Sequence, residues 1–279
     1  MEQNKTIRVG TRGSELALIQ TEMVIEALRR EHPEYEYEQV ILRTQGDRQL
    51  DRAISSFGGK AVFVEEFEEA LRRGQIDMAV HSAKDMPNPC GEGLCIGGVL
   101  ARACVQDVLI YPRGRQFDET SEFVIGTGSL RRQVQILEKY PHAHCEGLRG
   151  NIGTRLRKLR EGQYDAIILA AAGIGRQGLD RDPDLVYQYL DTWEMVPAAG
   201  QAIIAVETRQ DESAELAEDI SDETARMALD WERQVLSWKE AGCHEAFGVC
   251  CEPVDGHWRM RMMEVQDGKV VREERVWSI

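Results

Sequence analysis

The chain has 279 residues, of which 42% are hydrophobic and 29% charged, an ordinary balance for a globular protein with a substantial core. Its net charge of −14 argues against nucleic acid as a general partner, because phosphate backbones select basic surfaces. A small anionic ligand is not excluded, provided that cations line its cleft locally.

Targeting and redox signals point to the cytoplasm. Residues 1–6 are polar, and no apolar run approaches the roughly 20 residues that span a bilayer, so we expect neither a signal peptide nor a membrane segment. Seven cysteines, an odd number, favour reduced thiols. The spacings Cys90-x4-Cys95 and Cys250-Cys251 are not those of a structural zinc site, so no metal is predicted.

The chain begins with alternating strands and helices. Residues 6–10 favour a buried strand, and a loop containing Arg12 and Ser14 leads from it into a helix. Pro33 ends that helix, and residues 38–44 alternate as a second strand. The helix is predicted to pack through one apolar face, formed by Leu16, Ile19, Met23 and Ala27.

A glycine-rich stretch follows. Residues 47–60 show little periodicity and end in Gly58-Gly59-Lys60. A lid over a cleft and an ordinary surface loop fit this pattern equally well. The next helix is predicted to end at Gly74. Its apolar face contains Phe63, Phe67 and Leu71.

An adjacent lysine and aspartate follow the next predicted strand, residues 76–80. Lys84 and Asp85 lie in the segment His81 to Pro87. Burial would raise the pKa of the Asp85 carboxyl and a neighbouring cation would lower it, so Asp85 could act as a proton donor or acceptor. A salt-bridged turn is the alternative.

The stretch from Val124 to Arg155 contains two strand–loop–helix units whose helices open with cations. Ser129 is predicted to cap the first helix, and Asn151 or Thr154 the second. Helix N-termini favour anions, and a guanidinium is a rigid fork suited to carboxylate or phosphate. Both units are expected to face the carboxyl edge of one parallel sheet.

Two arginines open the first of these helices. Arg131 and Arg132 are adjacent, so we expect their side chains to diverge by about 100° and to hold two different anionic groups. Solvated surface is the alternative for such a pair.

The remaining chain carries one further cation at this edge and then changes character. Arg176 follows the predicted strand 165–170, and a strand at 203–207 is expected to return to the first domain. Residues 213–242 read as helical. Beyond them, two Asp-Gly dipeptides predict hairpins. Cys243, beside His244 on the intervening loop, could be a nucleophile, an attachment point or a buried core cysteine.

The predicted fold class is α/β, with two periplasmic-binding-protein-like α/β lobes joined by a hinge. A small C-terminal α+β domain, a helix and a three-stranded antiparallel sheet, completes it. The predicted boundaries are 1–100 plus 200–218 for the first lobe, 101–199 for the second and 219–279 for the third domain.

Seven sequence motifs lie in a fixed order along the chain: TRGSELAL (11–18), GGKAVF (58–63), HSAKDMP (81–87), IGTGSLRRQ (125–133), LRGNIGTRLRKL (148–159), YDAIILAAAG (164–173) and PAAGQ (197–201). Together, in their order and spacing, they resemble the hydroxymethylbilane synthase family, also called porphobilinogen deaminase. The resemblance runs from Ile7 to about Val276.

The resemblance implies a transferase of porphyrin biosynthesis. Such an enzyme joins four porphobilinogen units head to tail into hydroxymethylbilane and releases ammonia at each step. The chain grows on a dipyrromethane cofactor held by a thioether, for which the matching residue is Cys243. A cytoplasmic monomer without nucleic acid or membrane partners is expected.

The resemblance also assigns roles to individual residues. Asp85 matches the catalytic aspartate. Cofactor carboxylates would be held by Lys84, Thr127, Ser129, Arg131, Arg132 and Arg155. Substrate and growing chain would be held by Arg12, Ser14, Lys60, Phe63, Arg149, Arg155, Arg176 and, at the hinge, Gln201.

Three departures from the family pattern stand out. The cysteine loop reads Ala241-Gly242-Cys243-His244 where Gly-Gly-Cys-Gln is usual, and Ser56 replaces a lid lysine. The sequence ends after the predicted sheet, where the family adds a helical segment. A non-catalytic polyanion-binding protein and a degenerate family member are therefore the alternatives.

Overall fold

A computed structural model describes residues 5–42, 64–239 and 246–278 of the chain. The strands are β1 (Thr6–Arg12), β2 (Glu36–Leu42), β3 (Met78–Ser82), β4 (Leu94–Val99), β5 (Asp107–Pro112), β6 (Val124–Gly126), β7 (His144–Glu146), β8 (Ala166–Ala170), β9 (Leu185–Tyr189), β10 (Ile204–Arg209), β11 (Gly248–Val254), β12 (His257–Gln266) and β13 (Lys269–Ser278). The helices are α1 (Glu15–Glu31), α2 (Glu65–Arg72), α3 (Leu130–Lys139), α4 (Ile152–Arg160), α5 (Ala171–Arg176), α6 (Glu212–Glu218) and α7 (Glu223–Lys239).

Two compact units divide these elements. One comprises Met1–Arg102 with Ile203–Arg233, and the other Ala103–Ala202 with Gln234–Ile279. The three-domain division expected from the sequence stays a prediction. Within the described ranges, no helix is both long and apolar enough to cross a membrane.

The first unit is built on a mixed sheet with the strand order β2-β1-β3-β10-β4. β1 pairs in parallel with β2 and β3, whereas β10 runs antiparallel to β3 and β4. The predicted return of the chain to the first sheet is therefore confirmed by β10. One sheet face packs against Val24 and Leu28 of α1, and another cluster buries Phe67 and Leu71 of α2 with Ile76.

The apolar face predicted for α1 is confirmed only at Ala27, which is buried, and is wrong at its other three positions. Met23 is 37% exposed, and Leu16 and Ile19 are only partly buried, whereas Gln20 and Thr21 are buried. Both polar side chains find partners: the Gln20 amide donates to the Ser82 hydroxyl (3.0 Å), and the Thr21 hydroxyl donates to the Ala17 carbonyl (2.9 Å). A hydrogen-bonded polar group is far cheaper to bury than an unpaired one, so this face can turn inward.

The second unit repeats the arrangement, with the strand order β7-β6-β8-β5-β9. β6 pairs in parallel with β7 and β8, while β5 is antiparallel to β8 and β9. The predicted parallel placement of the two cation-bearing units is confirmed. The hydrophobic core of this unit includes the side chains of Leu109, Ile125, Ile136 and Ile168.

The C-terminal part contains a three-stranded antiparallel sheet in the order β11-β12-β13, as predicted. Its turns are Asp255-Gly256 and Asp267-Gly268, and all four residues have positive φ, which is the geometry of a type I′ turn. The helical stretch predicted over 213–242 is two helices, α6 and α7. The α/β class and the antiparallel C-terminal sheet are confirmed.

Candidate active site

In the first unit, the segment that carries Asp85 is held firmly at its start. A 3-10 helix, Ala83–Asp85, follows β3 directly. The Ala83 amide donates to the Ile203 carbonyl (3.0 Å), and Ser82 is bonded to the buried Gln20. Lys84 is partly buried and Asp85 is exposed at the end of this helix. The carboxyl group is thus presented to solvent from an anchored backbone.

Arg12 and Ser14 lie at the same edge of this sheet, because β1 and β3 are parallel neighbours. Arg12 is the last residue of β1 and is partly buried. Ser14 is the N-cap of α1, and its hydroxyl accepts from the Ala17 amide (3.4 Å). Four predicted site residues therefore meet at one carboxyl edge, where ligands bind in α/β sheets.

In the second unit, Arg131 and Arg132 bind the buried carboxylate of Asp107. The distances are 2.8 Å from Arg131 Nη2 to Oδ2 and 2.7 Å from Arg132 Nη2 to Oδ1. Gln201 donates to the same carboxylate from Nε2 (3.1 Å). The expectation that the two guanidinium groups diverge is wrong: both converge on Asp107, which is fully buried.

Taken together, Arg131, Arg132 and Asp107 carry a net positive charge, because two guanidinium groups share one carboxylate. Arg131 also donates to the Val196 carbonyl (2.6 Å), and Arg132 to the Ile168 carbonyl (3.0 Å). Burial lowers the pKa of Arg131, and the Asp107 carboxylate opposes that effect. Sequence reasoning missed Asp107; its only signal is an acidic residue at the start of the apolar run Val108 to Tyr111.

The N-terminus of α3 has the features of an anion site. Ser129 is its N-cap residue, yet within the described part of the chain its side chain makes no capping hydrogen bond, contrary to the prediction. Thr127 is buried, and its hydroxyl accepts from the Ser129 amide (3.2 Å). The first turn holds two arginines and no acidic residue, although cations are unfavourable at this end of a helix.

The N-terminus of α4 is capped as predicted. Asn151 accepts from the Thr154 amide (2.8 Å). Arg155 donates from Nε to the Gly150 carbonyl (2.7 Å), and Arg149 is exposed. Gly150 has φ of +108°, and a Cβ there would meet the Thr154 side chain at 2.7 Å, so this turn requires glycine.

Arg176 ends α5 in a partly buried position. One Nη donates to the Ala202 carbonyl (2.7 Å), while Nε is buried without a hydrogen-bond partner among the described residues. Burial lowers the pKa of Arg176 to about 10. The residues predicted at the carboxyl edge of β6, β7 and β8 are thus present there: Thr127, Ser129, Arg149, Arg155 and Arg176.

Three predicted site residues, Lys60, Phe63 and Cys243, lie outside the described residues, as do Ser56 and His244. Among the residues that the structure does describe, no cluster of three or more His, Cys, Asp or Glu side chains is arranged to hold a metal ion. Cys250 and Cys251 are buried in β11.

Comparison with known families decides the assignment. Residues 7–217 match the family model described as porphobilinogen deaminase, dipyromethane cofactor binding domain. The chain belongs to the porphobilinogen deaminase family. The resemblance seen in the motifs is therefore confirmed, and so is the assignment to the transferases.

Curated porphobilinogen deaminases from several bacteria resemble the chain over most of its length. The protein of Geobacillus sp. strain WCH70 is 45% identical over 242 residues, 86% of this chain and 77% of its own. Those of Streptococcus sanguinis strain SK36 and Roseiflexus sp. strain RS-1 are 42% and 40% identical over 272 residues, 96% of this chain and 89% of theirs.

Proposed function

We propose that this chain joins four porphobilinogen units head to tail into hydroxymethylbilane, with release of ammonia at each addition. The observation that carries the proposal is the family match over residues 7–217, which includes every motif segment of both sheet edges. The non-catalytic binder is not favoured, because the matched relatives are named as deaminases.

The residues of the second unit fit a dipyrromethane primer. Such a primer carries four carboxylates, and the groups of this unit that would bind them include the α3 N-terminus and the net positive Arg131–Arg132–Asp107 group. We assign its binding to Thr127, Ser129, Arg131, Arg132 and Arg155 of this unit, and its thioether attachment to Cys243. By the family resemblance alone, Lys84 of the first unit is assigned to the primer as well. When bound, the primer supplies the pyrrole carbon to which the first substrate unit is joined.

Asp85 is the proposed catalytic residue. Its carboxylate would accept a hydrogen bond from the pyrrole N–H of the substrate and stabilise the positive charge that develops as ammonia leaves. The exposure of Asp85 on an anchored segment supports this role, because a substrate can reach the carboxylate without displacing the backbone.

The acetate and propionate groups of porphobilinogen need cations of their own. We assign substrate binding to Arg12, Ser14, Lys60, Phe63, Arg149, Arg155, Arg176 and Gln201, of which the arginines and Lys60 supply the positive charge. Arg176 is the best supported of them by geometry: a carboxylate at its buried Nε would satisfy a donor that lacks a partner within the described ranges. Gln201 acts through the carboxylate of Asp107, to which it donates.

We further infer a cytoplasmic monomer of three domains, divided near residues 100, 200 and 218, with porphobilinogen as its small-molecule partner. The acidic composition supports the absence of nucleic acid from this list, since a net charge of −14 repels phosphate backbones.

Intact-mass measurement tests the proposed reaction. The purified protein should carry the mass of two pyrrole units, and incubation with porphobilinogen should add further single units. Cys243→Ala should carry none, whereas Cys104→Ala, which removes an exposed cysteine of the second unit, should behave as the wild type. A wild-type mass that lacks the two-unit addition and never changes with substrate contradicts the proposal.

A further inference from the structure

One buried acid–base pair of the first unit has no part in the proposed reaction. Glu207 lies in β10 and is fully buried, and its Oε2 is 3.2 Å from Nε2 of His81 in β3. The His81 side chain is only 9% exposed. In the described chain, the second carboxylate oxygen of Glu207 is buried without a hydrogen-bond partner.

The strand register brings the two side chains together. Ala205 lies opposite His81 and Ala79 opposite Glu207, so the pair forms a diagonal contact on one face of the sheet. The pairing of β10 with β4 shifts register between Val206 and Glu207. A bulge of this kind re-aims a side chain and is common beside active sites.

An aromatic ring packs against the histidine of the pair. The Phe67 ring of α2 meets the His81 ring edge-on at 5.3 Å between centroids. A buried ion pair or charged hydrogen bond is weak evidence for stability, because an apolar pair of the same volume often stabilises a fold as well or better. Burial of Glu207 with one unbonded oxygen in the described chain lowers stability, which points to a role other than stability.

His81 lies shortly before the Lys84–Asp85 segment, and this position indicates what the pair does. His81, Ser82 and Ala83 are consecutive, and each is anchored: to Glu207, to Gln20 and to the Ile203 carbonyl. The two residues that follow are Lys84 and the exposed Asp85. The anchor at His81 thus fixes the direction in which the strand delivers the carboxyl group of Asp85.

We propose that Glu207 and His81 are positioning residues that hold the Lys84–Asp85 segment at the angle its reaction requires. This inference rests on the proposed function, since it assumes that Asp85 acts on the substrate. The hydrogen bond between the two side chains positions the segment. Neither side chain exchanges a proton with the substrate.

Steady-state kinetics of Glu207 variants test the inference. Glu207→Ala should lower kcat by about 10- to 100-fold with KM changed less than about twofold, because a small displacement of a catalytic group slows chemistry more than binding. Glu207→Gln keeps an oxygen that accepts from the imidazole N–H and should recover most of kcat. Rates are normalised to the molecules whose mass shows the primer, so that unfolded protein does not count.

A matched control is Asp77→Asn at the opposite end of β3. Asp77 binds Arg8 and Arg209, and its loss should weaken the fold without changing kcat. A folded Glu207→Ala with wild-type kcat overturns the inference, and so does a Glu207→Gln as slow as Glu207→Ala, which would assign the effect to charge. Failure of the proposed function is seen separately, as a wild-type protein that does not convert porphobilinogen.

Discussion

At the scale of single residues, Asp107 is the group on which the arginine network depends. Asp107→Ala would leave Arg131 and Arg132 side by side in the interior without their carboxylate. We expect a loss of about 3–5 kcal/mol in the free energy of unfolding, the cost of breaking a buried ion pair from one side. Asp107→Asn should lose less, because its amide oxygen still accepts hydrogen bonds.

Urea unfolding of the variants measures this effect. The exposed Glu119→Ala serves as control and should change the unfolding free energy by less than about 0.5 kcal/mol. An Asp107→Ala protein as stable as the control would show that the network does not hold the two arginines in solution.

A second acid, Asp77, makes stability depend on pH. Burial alone would raise its pKa, but hydrogen bonds from Arg8 and Arg209 outweigh burial and lower the pKa below its usual value. A carboxyl whose pKa is lower in the folded state stabilises the fold above its unfolded pKa of about 4. That contribution is lost as pH falls further, through the folded pKa.

Unfolding of the wild type and Asp77→Asn at two pH values tests this sign. The variant should be less stable than the wild type at pH 7, and the difference should shrink well below pH 4, where the wild-type carboxyl is protonated too. A difference of the same size at both pH values contradicts the assignment.

At the scale of elements, α3 and α4 of the second unit differ in how their N-termini are capped. Asn151 caps α4, whereas the Ser129 side chain makes no cap bond to α3 among the described residues. Asn151→Ala should therefore cost about 1 kcal/mol of stability. Ser129→Ala should cost almost nothing in the unprimed Cys243→Ala background, yet slow porphobilinogen consumption in the primed enzyme, because the proposed function assigns its hydroxyl to the primer.

Thermal unfolding and rate measurements on both variants separate these outcomes. Equal losses of stability from Ser129→Ala and Asn151→Ala would mean that Ser129 caps α3 after all. An unchanged rate for Ser129→Ala would remove it from the residues that hold the primer.

Local pattern predicted much of this architecture. The strand–loop–helix units were predictable because short apolar runs end at glycine or at a capping residue, and both hairpins were predictable from Asp-Gly, which accepts positive φ. β4 and β9 were missed. β4, with the sequence LCIGGV, contains two glycines, which weaken any strand signal.

Contacts distant in sequence could not be predicted in the same way. The buried face of α1 depends on Ser82, 62 positions away, which accepts from Gln20. The role of Asp107 depends on Arg131 and Arg132, and that of Glu207 on His81, 126 positions away. An isolated acidic residue in an apolar strand is the one sign of such a pair in the local sequence, and it does not identify the partner residue.

At the scale of the whole molecule, 48 acidic residues outnumber 34 basic ones. Anion binding therefore depends on basic side chains whose charge is not fully neutralised by carboxylates of the protein. Arg176 is such a cation, with a pKa lowered by burial and an unbonded Nε in the described chain. A ligand that contacts only the native state stabilises it. We therefore expect the melting temperature to rise from Cys243→Ala to the primed protein, and to rise again as substrate units are added.

Arg176→Gln separates the two increments. Because Arg176 is assigned to the substrate and growing chain, the variant should keep the rise that accompanies the primer and lose part of the rise that accompanies the first added unit. Each kcal/mol corresponds to about 2–4 °C for a domain of 150–250 residues, so calorimetry on samples of known mass resolves the steps. In the unprimed background the variant should be about as stable, since the lost hydrogen bond to the Ala202 carbonyl is offset by removal of a buried Nε that has no partner among the described residues. A loss confined to the primer step would instead move Arg176 to the group that holds the primer.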